Sequence, residues 1–239
     1  MTVNSSLNSS PIMRILYRRS QIVSFVELST SFSHRQIFQA IVMYKKIVIS
    51  IFCSMLFFSM AKAVSPTEVQ SFRHAADQGD AAAQSRLGSL YETGQGVRQD
   101  YDEAVKWYRL AADKGNISAI YNLGMFHAYG KGVRQDYVEA ARLFRLAADK
   151  GDAAAQSNLG KLYEKGKGVR QNDAEALQWY RLAADQGYAA AQFILGVKYA
   201  NGQGVREDKG VAKEWFGKSC DNGIQEGCDK YRELKQKGF

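Results

Sequence analysis

The sequence predicts an all-α fold, a right-handed α-solenoid of antiparallel helix pairs with four 36-residue repeats between two half-repeat caps. Three observations carry the prediction. The octet GQGVRQDY at 94 returns as GKGVRQDY at 130, GKGVRQND at 166 and GQGVREDK at 202, a fixed period of the kind that marks helical repeat arrays. Every period contains two apolar stripes at helical spacing. Only Pro11 and Pro66 are proline, so beyond residue 66 no proline interrupts a helix.

In chain order, residues 43–63 come first as a recognisable element. They read MYKKIVISIFCSMLFFSMAKA, with two lysines, an apolar run from Ile47 to Met60 and a small-x-small triplet at Ala61–Ala63. This is the pattern of a secretory signal peptide cleaved after Ala63, and the run is short for a membrane span, although an uncleaved anchor is the alternative reading. Phe52 before Cys53 is too large for lipoprotein cleavage. A signal segment belongs near the start of a chain. Translation is therefore expected from Met43, with residues 1–42 an over-extended, disordered N-terminus.

Ser65-Pro66-Thr67-Glu68 supplies an N-cap, a proline at the first helical position and a glutamate at the third. It opens an N-terminal capping helix (64–79) with Phe72, Ala75 and Ala76 on its face. Repeats follow at 80–115, 116–151, 152–187 and 188–223. In the first, Ala83, Leu87, Leu90 and Tyr91 form the apolar face of a helix A, and Ala104, Trp107, Tyr108, Ala111 and Ala112 that of a helix B. Asp80, Asn116 and Asp152 are expected N-caps of A helices; Asp100, Asp136 and Asn172, each followed three residues on by Glu, have the capping-box pattern for B helices. Gly115 and its copies serve as C-caps. Gly88 recurs inside each helix A despite a helix-interior cost of about 1 kcal/mol, which predicts close approach of the two helix backbones. Cys228, Tyr231 and Leu234 lie on one face of a C-terminal capping helix (224–239).

The formal charge of +8 does not mark a nucleic-acid binder. Seven basic residues precede position 64, and what remains is 25 bases against 23 acids, too balanced for a polyanion footprint. The GxGVR loop is not a phosphate cradle either: it occurs four times and runs into an aspartate. Catalytic chemistry finds no foothold. His34, His74 and His127 lack the serine, cysteine or paired-carboxylate company that such chemistry needs, so no catalytic residue, metal site or cofactor is assigned. Arg109, Arg145 and Arg181 precede Asp113, Asp149 and Asp185 by four residues, a spacing read as surface ion pairs worth a few tenths of a kcal/mol in preference to an anion-binding stripe.

The pattern Ala-x-x-x-Leu-Gly-x-x-Tyr, then Gly-x-Gly-Val-x-x-Asp, then Ala-x-x-Trp-Tyr-x-x-Ala-Ala-x-x-Gly resembles the Sel-1-like repeat (SLR) family over about residues 65–236. It departs from the tetratricopeptide motif, which has four fewer residues between the helices and ends in proline. His127 departs from the family pattern at the slot of Tyr91. The resemblance implies a tetratricopeptide-like scaffold that binds partner proteins. Cys220 and Cys228 are similar in spacing to the bridged pairs of secreted cysteine-rich members of the family. Antiparallel helices across the Gly223 turn put them within bridging reach, and closing this loop would contribute about 2–3 kcal/mol. Free thiols or metal ligands are the alternatives.

By analogy with tetratricopeptide geometry, helix A lines the concave face. Its outward slots read Ser85, Ser89, Glu92; Tyr121, Met125, Ala128; Ser157, Lys161, Glu164; Phe193, Val197, Ala200, so polar and apolar repeats alternate. Tyr121, Met125, Tyr129, Phe193 and Val197 are the expected anchors of a partner groove, with Lys161 and Glu164 orienting the ligand. The same side chains would pack against neighbouring A helices if nothing binds there. The expected protein is a monomeric, periplasmic or secreted, non-enzymatic scaffold with a protein partner, no nucleic acid and no stable membrane insertion after cleavage. A cell-wall-related enzyme or ligand binder with weak β-lactamase-like activity is the alternative, for which no Ser-x-x-Lys and Lys-Thr-Gly signature pair is present.

Overall fold

The computed structural model describes residues 64–239; residues 1–42, the signal segment 43–63, and with them His34 and Cys53, lie outside the described residues. Among the described residues there are ten helices and no strand: α1 (Pro66–Asp77), α2 (Ala81–Thr93), α3 (Tyr101–Asp113), α4 (Ile117–Tyr129), α5 (Tyr137–Asp149), α6 (Ala153–Lys165), α7 (Asp173–Asp185), α8 (Ala189–Asn201), α9 (Lys209–Asp221) and α10 (Gln225–Gln236). Each packs chiefly on the helices before and after it. The result is an α-solenoid in which α2, α4, α6 and α8 are A helices and α3, α5, α7 and α9 are B helices, with α1 and α10 at the ends.

The helix boundaries follow local chemistry. Asp80, Asn116 and Asp152 each accept the backbone N–H three residues on, and Asp100, Asp136, Asn172 and Asp208 cap the B helices in the same way. Among the described residues only Ser65 and Glu68 form the reciprocal capping box. The glutamates expected to complete the others are engaged outward: Glu103 with Lys106, Glu139 with Arg142 and Glu175 with the Trp179 indole N–H. The two glycines of the loop have separate tasks. Gly94 and its copies end each helix A in the left-handed conformation, whereas Gly132 and Gly168 lie against the Tyr101 and Tyr137 carbonyls at the start of the preceding repeat's helix B. The loop thus joins successive repeats as well as the helices of one.

The helix-interior glycines admit an aromatic ring rather than, as expected, the neighbouring backbone. A Cβ on Gly88 would come within 2.7 Å of the Tyr108 ring, on Gly124 within 2.7 Å of Phe144 and on Gly196 within 2.6 Å of Phe216; only at Gly160 does a backbone atom, the Ala176 carbonyl oxygen at 3.0 Å, lie as close as the ring. The ring in each notch belongs to the aromatic residue twenty positions after the glycine, on helix B of the same repeat. Tyr108, Phe144, Tyr180 and Phe216 are all buried.

Cys220 and Cys228 form a disulfide, with Cα atoms 4.5 Å apart. At three other junctions the same pair of positions, eight residues apart, is joined by a buried hydrogen bond from a glutamine amide to an alanine carbonyl: Gln84 to Ala76, Gln156 to Ala148 and Gln192 to Ala184. The bridge replaces that bond where no further repeat covers the junction. Its removal by Cys220→Ala with Cys228→Ala is expected to cost about 2 kcal/mol, read as a lower urea midpoint. A reductant should lower the midpoint of the parent protein and leave that of the variant in place.

The arginine ladder does not pair with the aspartates four residues on. Arg73, Arg145 and Arg181 instead donate to the hydroxyls of Tyr91, Tyr163 and Tyr199, eighteen residues ahead on the next helix A. An aromatic hydroxyl between helices offers a fixed acceptor, whereas Asp113, Asp149 and Asp185 end their helices in water. The position eighteen residues after Arg109 holds His127 in place of a tyrosine, and its buried Nδ1 has no partner. His127→Tyr is expected to complete the ladder and raise stability by about 0.5–1 kcal/mol, a gain in melting temperature that Arg109→Ala should erase.

Candidate functional site

The alternation of the A-helix slots is one part of a three-position pattern. Reading along the array, the sets are Glu92, Tyr108, Phe126; Ala128, Phe144, Leu162; Glu164, Tyr180, Lys198; and Ala200, Phe216, Leu234. Each set brings together a helix A, its own helix B and the next helix A. Where the set begins with Glu, the space is filled. Tyr108 donates its hydroxyl to Glu92 at 2.7 Å, and Phe126 stands edge-on to the Tyr108 ring at 5.6 Å. Tyr180 donates to Glu164 at 2.9 Å, and the Lys198 ammonium, on an almost fully buried side chain, donates to the same carboxylate while lying 5.6 Å from the Tyr180 ring centre.

These contacts set the protonation of the groups involved. Burial raises the Tyr180 hydroxyl above its ordinary range, and the Glu164 charge and hydrogen bond add to that; Tyr108 is raised by burial and by Glu92 in the same way. Burial works against the Glu164 charge, but the Lys198 and Tyr180 hydrogen bonds outweigh it and hold the carboxyl below its ordinary value.

Where the set begins with Ala, the carboxylate and the hydroxyl are both gone and a groove opens. The first, of about 160 Å³, has Met125, Ala128, Phe144 and Leu162 as its apolar lining. Around it stand Tyr129, Tyr137, Asn158, Lys161, Lys165 and Lys167. The second, of about 290 Å³, repeats the arrangement two units on, with Val197, Ala200, Phe216 and Leu234 inside and Asn201, Lys209, Lys230, Glu233, Lys237 and Phe239 around it. All ten positions of one groove match the ten of the other at a shift of 72 residues. Lys167 lies 4.6 Å from the Tyr137 ring centre and donates to its hydroxyl. Glu233 accepts from Lys230 and Lys237, and those bonds hold its pKa at about 2.

The sequence-predicted anchors divide into three kinds. Met125 and Val197 line the grooves, and exposed Tyr129 and Lys161 border the first. Tyr121 and Phe193 are half-buried beside the grooves, their rings 5.8 Å from Phe144 and 5.5 Å from Phe216; the Tyr121 hydroxyl accepts from Asn158 at 3.3 Å. Glu164 is committed to Tyr180 and Lys198 inside the fold. Sequence reasoning missed the helix B floor, Phe144 and Phe216, and the lysines at 165, 167, 209, 230 and 237. The signal was present: Glu is followed sixteen residues on by Tyr, and Ala by Phe. Among the described residues no group of three or more His, Cys, Asp or Glu side chains is placed to hold a metal, and no helix is long and apolar enough to cross a membrane.

The model of the Sel1 repeat matches four successive segments, residues 81–116, 117–152, 153–188 and 189–224. The chain belongs to the Sel1 repeat family. Members of the Sel1 family are generally protein–protein interaction scaffolds. Among solved structures, this Sel1 chain is similar to a protective antigen present in uropathogenic Escherichia coli strains that displays an SLR fold, at 37% identity and a TM-score of 0.68, over 72% of this chain and 37% of that one. It is also similar to a Sel1 repeat protein from Oxalobacter formigenes, at 37% identity and a TM-score of 0.64, over 66% of this chain and 63% of that one. The Sel1 chain therefore spans a little over a third of the first structure's length and under two thirds of the second's. No curated protein matches it significantly.

Proposed function

We propose that this chain is an exported, non-enzymatic scaffold that binds a segment of a partner protein along its A-helix face, the concave side of the solenoid. The observation that carries the reading is the pair of apolar-lined grooves at equivalent positions two repeats apart, each open between consecutive A helices. A fold without a partner gains nothing from leaving out, at every second interface, the carboxylate and hydroxyl that close the others. Export is supported by the signal-like run at 43–63 and by the disulfide, which suits an oxidising compartment such as the periplasm or the exterior.

Photocrosslinking in the native cell tests this. A benzophenone amino acid placed at Tyr129, 59% exposed beside the first groove, is compared with one at Leu110, 46% exposed on a helix B. Protein adducts from position 129 and none from 110 support the reading. Absence of adducts at 129, or equal yields at both positions, would overturn it.

A further inference from the structure

We infer that the partner segment is acidic and carries two apolar side chains, one for each groove, so that it spans the closed interface between them. The inference rests on the scaffold reading above and names the chemistry of its ligand.

The requirement for apolar anchors comes from the lining. Ala128, Phe144 and Leu162, and their counterparts Ala200, Phe216 and Leu234, offer no hydrogen-bonding side chain, so a polar group entering would lose its hydration without a replacement partner. The requirement for two comes from the register. The interface between the grooves is occupied by Glu164, Tyr180 and Lys198, leaving openings two repeats apart. With neighbouring helices about 10 Å apart, the openings are separated by about 20 Å, the reach of about six residues of extended chain at about 3.3 Å each. The requirement for acid comes from the surroundings. Lys161, Lys165 and Lys167 border the first groove, which has no Asp or Glu in its lining. Lys209, Lys230 and Lys237 border the second, where Glu233, the one Asp or Glu of the lining, is held by Lys230 and Lys237, and Lys209 pairs with Glu207 beside it, so three cations stand against two carboxylates. Each opening therefore combines an apolar interior with net positive charge around it, which favours an acidic segment and steers its approach.

The chain itself supplies the test variants. Ala128→Glu with Phe144→Tyr, and Ala200→Glu with Phe216→Tyr, copy into the open interfaces the pair that closes the others. A phage-displayed library of random 12-residue peptides is the probe, panned on the immobilised protein. Enriched peptides are expected to be rich in Asp and Glu with two large apolar residues five to seven positions apart. Each double variant should retain them at least tenfold less well, the worth of one buried Leu- or Phe-sized side chain. Lys161→Glu with Lys165→Glu, both at exposed sites, should weaken retention as well and provides the measurement if a groove-filling variant does not fold. Neutral or basic enriched peptides, a single anchor, retention unchanged in the variants, or no enrichment at all would each overturn the inference. The scaffold reading is judged separately by the Tyr129 crosslink, which does not depend on the peptide's chemistry.

Discussion

Gly168→Ala is expected to destabilise the array by about 3 kcal/mol or more, at the position that leaves an added Cβ least room among the described glycines. Gly168 has a φ of +68°, and a Cβ built there would fall on the Tyr137 carbonyl group and 2.6 Å from the Val138 nitrogen. The left-handed conformation alone costs an L-residue about 1–2 kcal/mol. The clash is with backbone at the first turn of α5, anchored by the Asp136 cap, so no flexible side-chain end can move aside. Gly204 occupies the same slot one repeat on, at φ +71°, but its nearest neighbour would be the Asp173 Cβ at 3.5 Å. Gly204→Ala therefore carries the conformational cost without the clash, and about 1–2 kcal/mol is expected. Urea denaturation followed by circular dichroism measures both. Equal losses at the two sites would show that the loop does not bear on the preceding repeat as described. The contrast also bears on the grooves, because the contact joins successive repeats and the grooves lie between the A helices of successive repeats.

How much of this was legible in the sequence depends on how many residues a feature involves and how far apart they lie. The repeat, its helix pairs and most of its caps follow from local spacing, because a helix face or an Asx cap is fixed within a few residues. The disulfide was within reach because its two cysteines flank one turn. What escaped required matching positions between neighbouring helices. Spacing along helix A predicts a close approach at each glycine but cannot say which part of helix B arrives there, the backbone or a ring. The Arg145 to Tyr163 bond was hidden behind a plausible i,i+4 partner, Asp149. Alternation of the A-helix slots was visible, but its meaning was not: Tyr121 and Phe193 stand out as aromatic, yet they lie beside openings formed by the smaller Ala128 and Ala200. The absence of a side chain is harder to notice than its presence. It becomes legible once Glu92 is paired with Tyr108, and Ala128 with Phe144.

Glu164→Ala is expected to cost about 3 kcal/mol, the low end of the loss on breaking a buried pair because Glu164 keeps 34% of its side-chain surface in water. Two donors would be stranded, the Lys198 ammonium on a side chain only 5% exposed and the buried Tyr180 hydroxyl. The contribution has a defined pH dependence. The folded carboxyl titrates below its ordinary 4.5, so its stabilisation is complete above that value and is lost as pH falls through the folded pKa. Glu164→Gln should accordingly be less stable than the parent at pH 7, and the gap should narrow towards pH 3; a gap independent of pH would mean that the charge contributes nothing. The stronger test follows from the repeat itself. Glu164→Ala combined with Tyr180→Phe and Lys198→Leu rebuilds the set found at Ala128, Phe144 and Leu162. Exchanging a buried charged network for apolar groups of fitting shape is often close to neutral, so the triple variant should return to within about 1 kcal/mol of the parent although its first substitution alone is damaging. It should also open a third groove between the existing two. If the network serves to keep that interface shut, the triple variant will remain folded and accept apolar anchors at one-repeat spacing, which the parent protein is expected to refuse.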